Sequence, residues 1–237
     1  MDLPELVTRT LARRSGPEEP LRIVQAGHPA LRGAAREWTG QLDDALLAEL
    51  VDAMVLTMRE APGVGLAAPQ VGIPLRLAVL EDAFDDAEDG DGDELEDGFE
   101  DGYKDPLDRR PLPLRTVLNP TYEVVGSGRV YYWEGCLSVD GWQSIVPRAG
   151  TIRARGLQRR ADGTIEEFDE EWTGWSARIL QHETDHLAGT LCHDLAVPRS
   201  FVHSPYASRY ADLPDAVRRL GLEGEITGLG PGEVAIG

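Results

Sequence analysis

The chain has 237 residues, 41% of them apolar and 27% charged, the make-up of one large globular domain or two small ones. Two cysteines exclude a disulfide scaffold, and no apolar run approaches the roughly 18 residues of a membrane span. The net charge of −19 is concentrated: thirteen acids and no Lys or Arg lie between Glu81 and Asp101, and without those acids the charge is −6. Acidity of this kind argues against a nucleic-acid-binding surface, because phosphates would be repelled. The Met-Asp-Leu-Pro-Glu-Leu start lacks the basic and then apolar pattern of a secretory signal, so a cytoplasmic protein that does not meet the membrane is expected.

In chain order, Leu3 to Arg13 reads as a short helix in an N-terminal extension, residues 1–20, that closes with Gly-Pro-Glu-Glu-Pro. Leu21 to Val24 is a short extended run. From Leu42 the apolar positions Leu46, Leu47, Leu50, Met54, Val55 and Met58 recur every three or four residues, which predicts an amphipathic helix ending before Pro62. Residues 63–72 form a small-residue loop, and Leu75 to Leu80 a buried strand. Residues 81–110 are acidic and Gly-rich and cannot bury enough surface to offset their ordering entropy, so they read as a mobile insertion between two strands. Asp89, Asp91 and Asp93 alternate as calcium-loop ligands do, but Gly92 is misplaced and flanking helices are not evident. Strands are predicted at 115–118, 123–125 and 129–133, with turns at Asn119-Pro120 and 126–128. A hairpin follows, 151–155 with 164–168, then a helix from Trp172 to Leu187 stopped by Gly189. The last 25 residues, within a C-terminal segment 198–237, read as a loose tail. Strands followed by a late helix give an α+β class.

That late helix carries His182-Glu183-Thr184-Asp185-His186, an H-E-x-x-H pattern. Residues four apart share a helical face with Cβ atoms about 5–6 Å apart, so two imidazoles there can bind one metal ion, with Glu183 close enough to exchange a proton with a water on it. A catalytic ion usually takes a third protein ligand. His193, Cys192 and Cys136 are the candidates. A metzincin protease would carry His at 192, where this chain has Cys. Spacing alone does not choose between Cys136 and Cys192.

Three separated motifs then agree. Gly63-Val64-Gly65-Leu66-Ala67-Ala68-Pro69-Gln70, Glu134-Gly135-Cys136-Leu137-Ser138 and Gln181 to Gly189 closely resemble the signature motifs of the peptide deformylases, in that family's order. The resemblance spans roughly 20–197, so 21–197 is expected to be the catalytic domain, with antiparallel sheets packed around the central helix that carries the metal motif. It implies Cys136, His182 and His186 as ligands of one divalent ion, natively Fe²⁺ and replaceable by Ni²⁺, Zn²⁺ or Co²⁺. Cys192 then becomes a core residue. It implies removal of formyl from the N-terminal methionine of new chains, with Glu183 handling the proton and the Gln70 amide and Leu137 backbone N–H holding the oxyanion. Gly63, Val64, Gly65 and Leu137 would line the substrate pocket, and Glu134 with Arg148 would form an ion pair beside the site. The partners so implied are N-formyl-methionyl nascent peptides and, transiently, the ribosome, although Arg199, Arg209, Arg218 and Arg219 give 198–237 no continuous basic face. A monomer is expected, since no apolar heptad or long edge strand stands out.

Two positions depart from the pattern: Asp140 stands where the family usually has Pro, and Gln143 where many members have Arg. They bear on peptide binding more than on metal chemistry. Two rival readings have less support. A metalloprotease would lack its third His and leave Cys136 without a role. A deformylase-like binding module without turnover would not need the intact ligands and Glu183.

Overall fold

The computed structural model describes residues 2–83, 107–226 and 235–236. Helix α1 (Leu3–Leu11) is started by the Asp2 carboxylate, which accepts from the Glu5 N–H at 2.9 Å. It buries Leu3, Val7 and Leu11, one face at helical spacing, against the second helix, α2 (Asp44–Glu60). The extension is therefore docked on the domain. Along α2, Leu47, Leu50, Met54 and Met58 are almost fully buried. Burying side chains of this kind contributes about 1.5–3 kcal/mol apiece.

The small-residue loop holds a short strand, β1 (Gly65–Ala67), which pairs with β2 (Leu77–Asp82). Next come β3 (Leu112–Val124), β4 (Arg129–Gly135), β5 (Trp142–Ala149), β6 (Thr151–Arg159) and β7 (Ile165–Thr173). One antiparallel sheet runs β1-β2-β3-β6-β7. The second runs β8-β5-β4-β9, with β8 at Val202–His203 and β9 at Ala235–Ile236. The α+β class holds, with antiparallel sheets throughout.

Several expectations need correction. The turn at Asn119-Pro120 is a bulge inside β3: the register shifts between Leu118 and Thr121, and Asn119 takes φ +50°. The Asn119 amide is locked there by the Trp38 backbone, accepting its N–H at 2.7 Å and donating to its carbonyl at 2.9 Å. Trp172 lies in strand β7, which ends at Thr173, and the helix after it, α3 (Gly174–Ala188), starts two residues later than its pattern suggests. Strand β7 is itself a nine-residue sheet edge, so a long edge is present. It carries Glu166, Glu167, Asp169, Glu170 and Glu171, charges of the kind that blunt edge-to-edge pairing. Beyond a one-turn helix, α4 (Cys192–Leu195), the C-terminal tail is not loose where it is described: α5 (Leu213–Leu220) buries Leu213, Ala216 and Val217, and Leu222 and Ile226 follow them into the core. Of the acidic insertion, Glu81 and Asp82 belong to β2 and Leu107 is buried, while 84–106, with Asp89, Asp91 and Asp93, lie outside the described residues. No helix among the described residues is long and apolar enough to cross a membrane.

Helix α3 sits between the sheets. Ala177, Leu180 and Leu187 pack with Ala67, Ala78 and Leu80 of the first sheet. Toward the second sheet, the buried Gln181 amide accepts from the Ala149 N–H at 3.0 Å and donates to the Ala149 carbonyl at 2.9 Å. Both contacts fix the helix's rotation. Gly189 ends it at φ +83°, where a Cβ would lie 2.9 Å from the Arg32 backbone.

Candidate active site

Cys136 follows the last residue of β4, and His182 and His186 lie one turn apart on α3. The Cys136 Sγ is 3.4 Å from His186 Nε2, which is 3.2 Å from His182 Nε2, and one ligand atom from each residue falls within 4.8 Å of the others. Two ring nitrogens and a sulfur turned toward one point form a donor set suited to a divalent cation, so the residues fit the metal that the motifs imply. The Ser138 N–H points at the same sulfur from 3.4 Å and the Gln70 Nε2 from 3.8 Å.

His182 is oriented from behind. Its Nδ1 lies 3.1 Å from Glu134 Oε2, which directs Nε2 to the convergence point. Glu134 is buried and also takes two bonds from Arg148, at 2.9 and 3.0 Å, and one from Arg178 at 2.5 Å. Arg148 reaches on to Asp185. Burial alone would push the Glu134 carboxyl up, but Arg148, the His182 bond and Arg178 together hold it well below the usual carboxylate range. The expected Glu134–Arg148 pair is thus one edge of a larger network. Sequence reasoning missed Arg178 and Asp185. The available signal was spacing: Arg178, His182 and His186 recur every four residues, so a cation shares the helical face of the two imidazoles.

Glu183 is buried, and its Oε2 has no hydrogen-bond partner among the described residues. Burial raises its carboxyl to about 7, against the opposing charges of His182 and Arg148. Gly65 is pressed against it, so that a Cβ there would collide with the carboxylate. At Gly63 a Cβ would lie 2.8 Å from the Leu137 side chain. Close approach therefore favours glycine most strongly at Gly65, while at Gly63 only the end of the Leu137 side chain would have to shift. The Gln70 Oε1 accepts from the Ala67 N–H at 2.8 Å, which turns the Nε2 donor inward.

These groups share a cavity of about 620 Å³, whose apolar wall includes Ile23, Pro62, Val64, Leu137, Trp175 and Ile179. Gly63, Val64, Gly65, Gln70, Cys136, Leu137, His182 and Glu183 all line it, and His186 closes the donor set from beneath. Cys192 is buried near this site, its thiol 3.1 Å from His193 Nδ1 and within reach of Glu134 and His182. The neighbouring Cys136 thiol, together with burial, raises the Cys192 thiol, which keeps it protonated. His193 packs at a tilt against Phe201, ring centroids 4.7 Å apart, and is not part of the donor set.

Residues 20–201 match the family model described as polypeptide deformylase. The chain belongs to the peptide deformylase family. A peptide deformylase from Streptomyces avermitilis is 50% identical over 181 residues, which is 76% of this chain and 73% of that protein. One from Streptomyces coelicolor is 47% identical over the same length, 76% of this chain and 75% of its own. Among solved structures, the peptide deformylase of Thermotoga maritima is 31% identical, with a TM-score of 0.56 over 76% of this chain and 99% of that one. A peptide deformylase from Acinetobacter baumannii, solved with Met-Ala-Ser bound, is 29% identical, with a TM-score of 0.58 over 75% of this chain and 99% of that one. Peptide deformylases are metalloenzymes that hydrolyse the formyl group from N-formyl-methionyl peptides, and family membership sets the metalloprotease reading aside.

Proposed function

We propose that this deformylase works through Cys136, His182 and His186 as the ligands of one divalent ion, with Glu183 as its general base and acid. The observation that carries the reading is the convergence of one sulfur and two ring nitrogens, 3.2–3.4 Å apart along the chain of contacts, beside a buried carboxylate. When bound there, the ion acidifies a water and polarises the formyl carbonyl. Water adds to the formyl carbon, the C–N bond breaks, and formate and a free α-amine leave. Glu183 accepts the water's proton and delivers it to the departing nitrogen. Its raised proton affinity, set by burial, suits a group that must both take and return a proton near neutrality. The Gln70 Nε2–H and the Leu137 backbone N–H donate to the formyl oxygen as charge builds on it, and the orientation of Gln70 supports its part. Gly63, Val64, Gly65 and Leu137 receive the methionine side chain, supported by their place on the cavity wall.

Fe²⁺ is the ion of this reading. One thiolate with two imidazoles can hold Fe²⁺, Co²⁺, Ni²⁺ or Zn²⁺, so exchange among them is part of the proposal. Two unpaired thiols suit a reducing cytoplasm. The acids along β7 support a monomer. Docking on the ribosome through a basic C-terminal helix has no support from α5, where Arg218 and Arg219 both turn to Asp215.

Formyl-Met-Ala-Ser is expected to release formate and free amine in equal amounts. Chelation of the ion should abolish the release, and Fe²⁺ or Ni²⁺ should restore it. Release that persists in the metal-stripped chain would contradict the reading. No release from the loaded chain would leave only a binding module.

A further inference from the structure

We propose that Asp140 and Trp142 form an acidic, aromatic lip on the substrate cavity that selects peptides with a basic side chain at the second or third residue. The inference rests on the site reading above, which puts the formyl end at Cys136, His182 and Glu183.

Asp140, Gly141, Trp142 and Ser204 line the same cavity as those groups. Asp140 is exposed, and Trp142 is 45% exposed, unusual for so large an apolar ring. The turn between them is held open by Gly141 at φ +78°. The ring is fixed from one side. His203 pairs with Trp142 across β5 and β8, their ring centroids are 5.0 Å apart, and the Ser204 N–H donates to the Gly141 carbonyl at 2.8 Å. That bracing comes from residues 202–204, just beyond the stretch 20–201 that matches the family model.

The chemistry of the lip selects its occupant. The only Arg or Lys among the lining residues described is Arg178, which is buried and bound to Glu134. The rim therefore offers the Asp140 carboxylate, with no Arg or Lys beside it among the described lining residues, and the Trp142 ring two positions on. A lysine or arginine can satisfy both at once, as an ion pair with Asp140 and a cation over the Trp142 ring. An extended chain advances about 3.3–3.6 Å per residue, and because the lip lines the same cavity as the reacting groups, it is placed to meet the side chains that follow the methionine. The acidic field of the whole chain, net −19, acts in the same direction.

The test compares formyl-Met-Lys-Lys with formyl-Met-Glu-Glu on the same preparation of the full-length, metal-loaded enzyme, so that folding and metal loading cancel in the ratio. The wild type is expected to favour the lysine peptide in kcat/KM by about five- to ten-fold at low salt, mostly through KM, and less at high salt. Asp140→Asn should bring the ratio toward one, Asp140→Lys should bring it lower still, and Trp142→Ala should reduce the lysine preference. A wild-type ratio of one or below would overturn the proposal. So would a ratio that Asp140→Lys leaves unchanged, because the preference would then come from the overall charge. Formate release from neither peptide would instead overturn the site assignment, and the lip with it.

Discussion

Glu183→Gln is expected to lower kcat for formyl-Met-Ala-Ser by about 10²- to 10⁴-fold while the protein keeps its metal. The amide has the volume of the carboxylate, so the tight contact with Gly65 survives and the fold is not perturbed. What disappears is the ability to take a proton from water and return it to the departing nitrogen. The carboxylate Oε2 has no partner among the described residues, so the substitution breaks no structural hydrogen bond there. Formate release and elemental analysis on the same sample check this. Turnover within a few-fold of wild type would remove Glu183 as the proton carrier. Loss of the ion together with activity would mean that it acts on the metal centre instead.

Glu134→Ala is expected to cost about 3–5 kcal/mol of stability, because removing one partner of a buried ion network strands the others. Here Arg148 and Arg178 would be left with their charges buried, and His182 would lose the acceptor that fixes its ring. For a chain of this length that corresponds to a fall in Tm on the order of 10 °C. Metal affinity should fall by about 10- to 100-fold, since the imidazole is no longer pre-oriented. The sign with pH follows from the depressed Glu134 carboxyl. Its contribution is complete above the ordinary glutamate value of about 4.3 and is lost only as the pH falls well below that. Thermal unfolding and competition with a chelator check both effects, with Glu134→Gln as the milder variant. Unchanged Tm and unchanged affinity in Glu134→Ala would show that the network is not what holds His182.

Much of this site was legible because its chemistry is local or carried by motifs. The i, i+4 imidazoles, the following acid and the Gly63-to-Gln70 loop stand out in the sequence, and α2 follows from periodicity over seventeen residues. What was not legible depends on distant pairing. Gln143 and Ser144 give β5 no clean alternation, yet it pairs along seven residues with β4 and receives β8 from sixty residues later. The bulge at Asn119 reads locally as a turn, and only the Trp38 backbone holds it within a strand. Helix α5 has just eight residues, too few to show a period, and its order comes from burying Leu213 and Val217 against a core assembled elsewhere. Cys192 and Cys136 could not be ranked by spacing because both reach the neighbourhood of His182. The fold separates them by aiming the Cys136 sulfur at the His186 ring and the Cys192 sulfur at His193.

X-ray absorption at the metal edge, on protein purified without oxygen, tests the central claim most directly. The account predicts one sulfur at about 2.3 Å and two imidazole nitrogens at about 2.0–2.1 Å around the ion, with the sulfur lost in Cys136→Ala and kept in Cys192→Ala. A shell without sulfur, or a sulfur that disappears with Cys192, would contradict it.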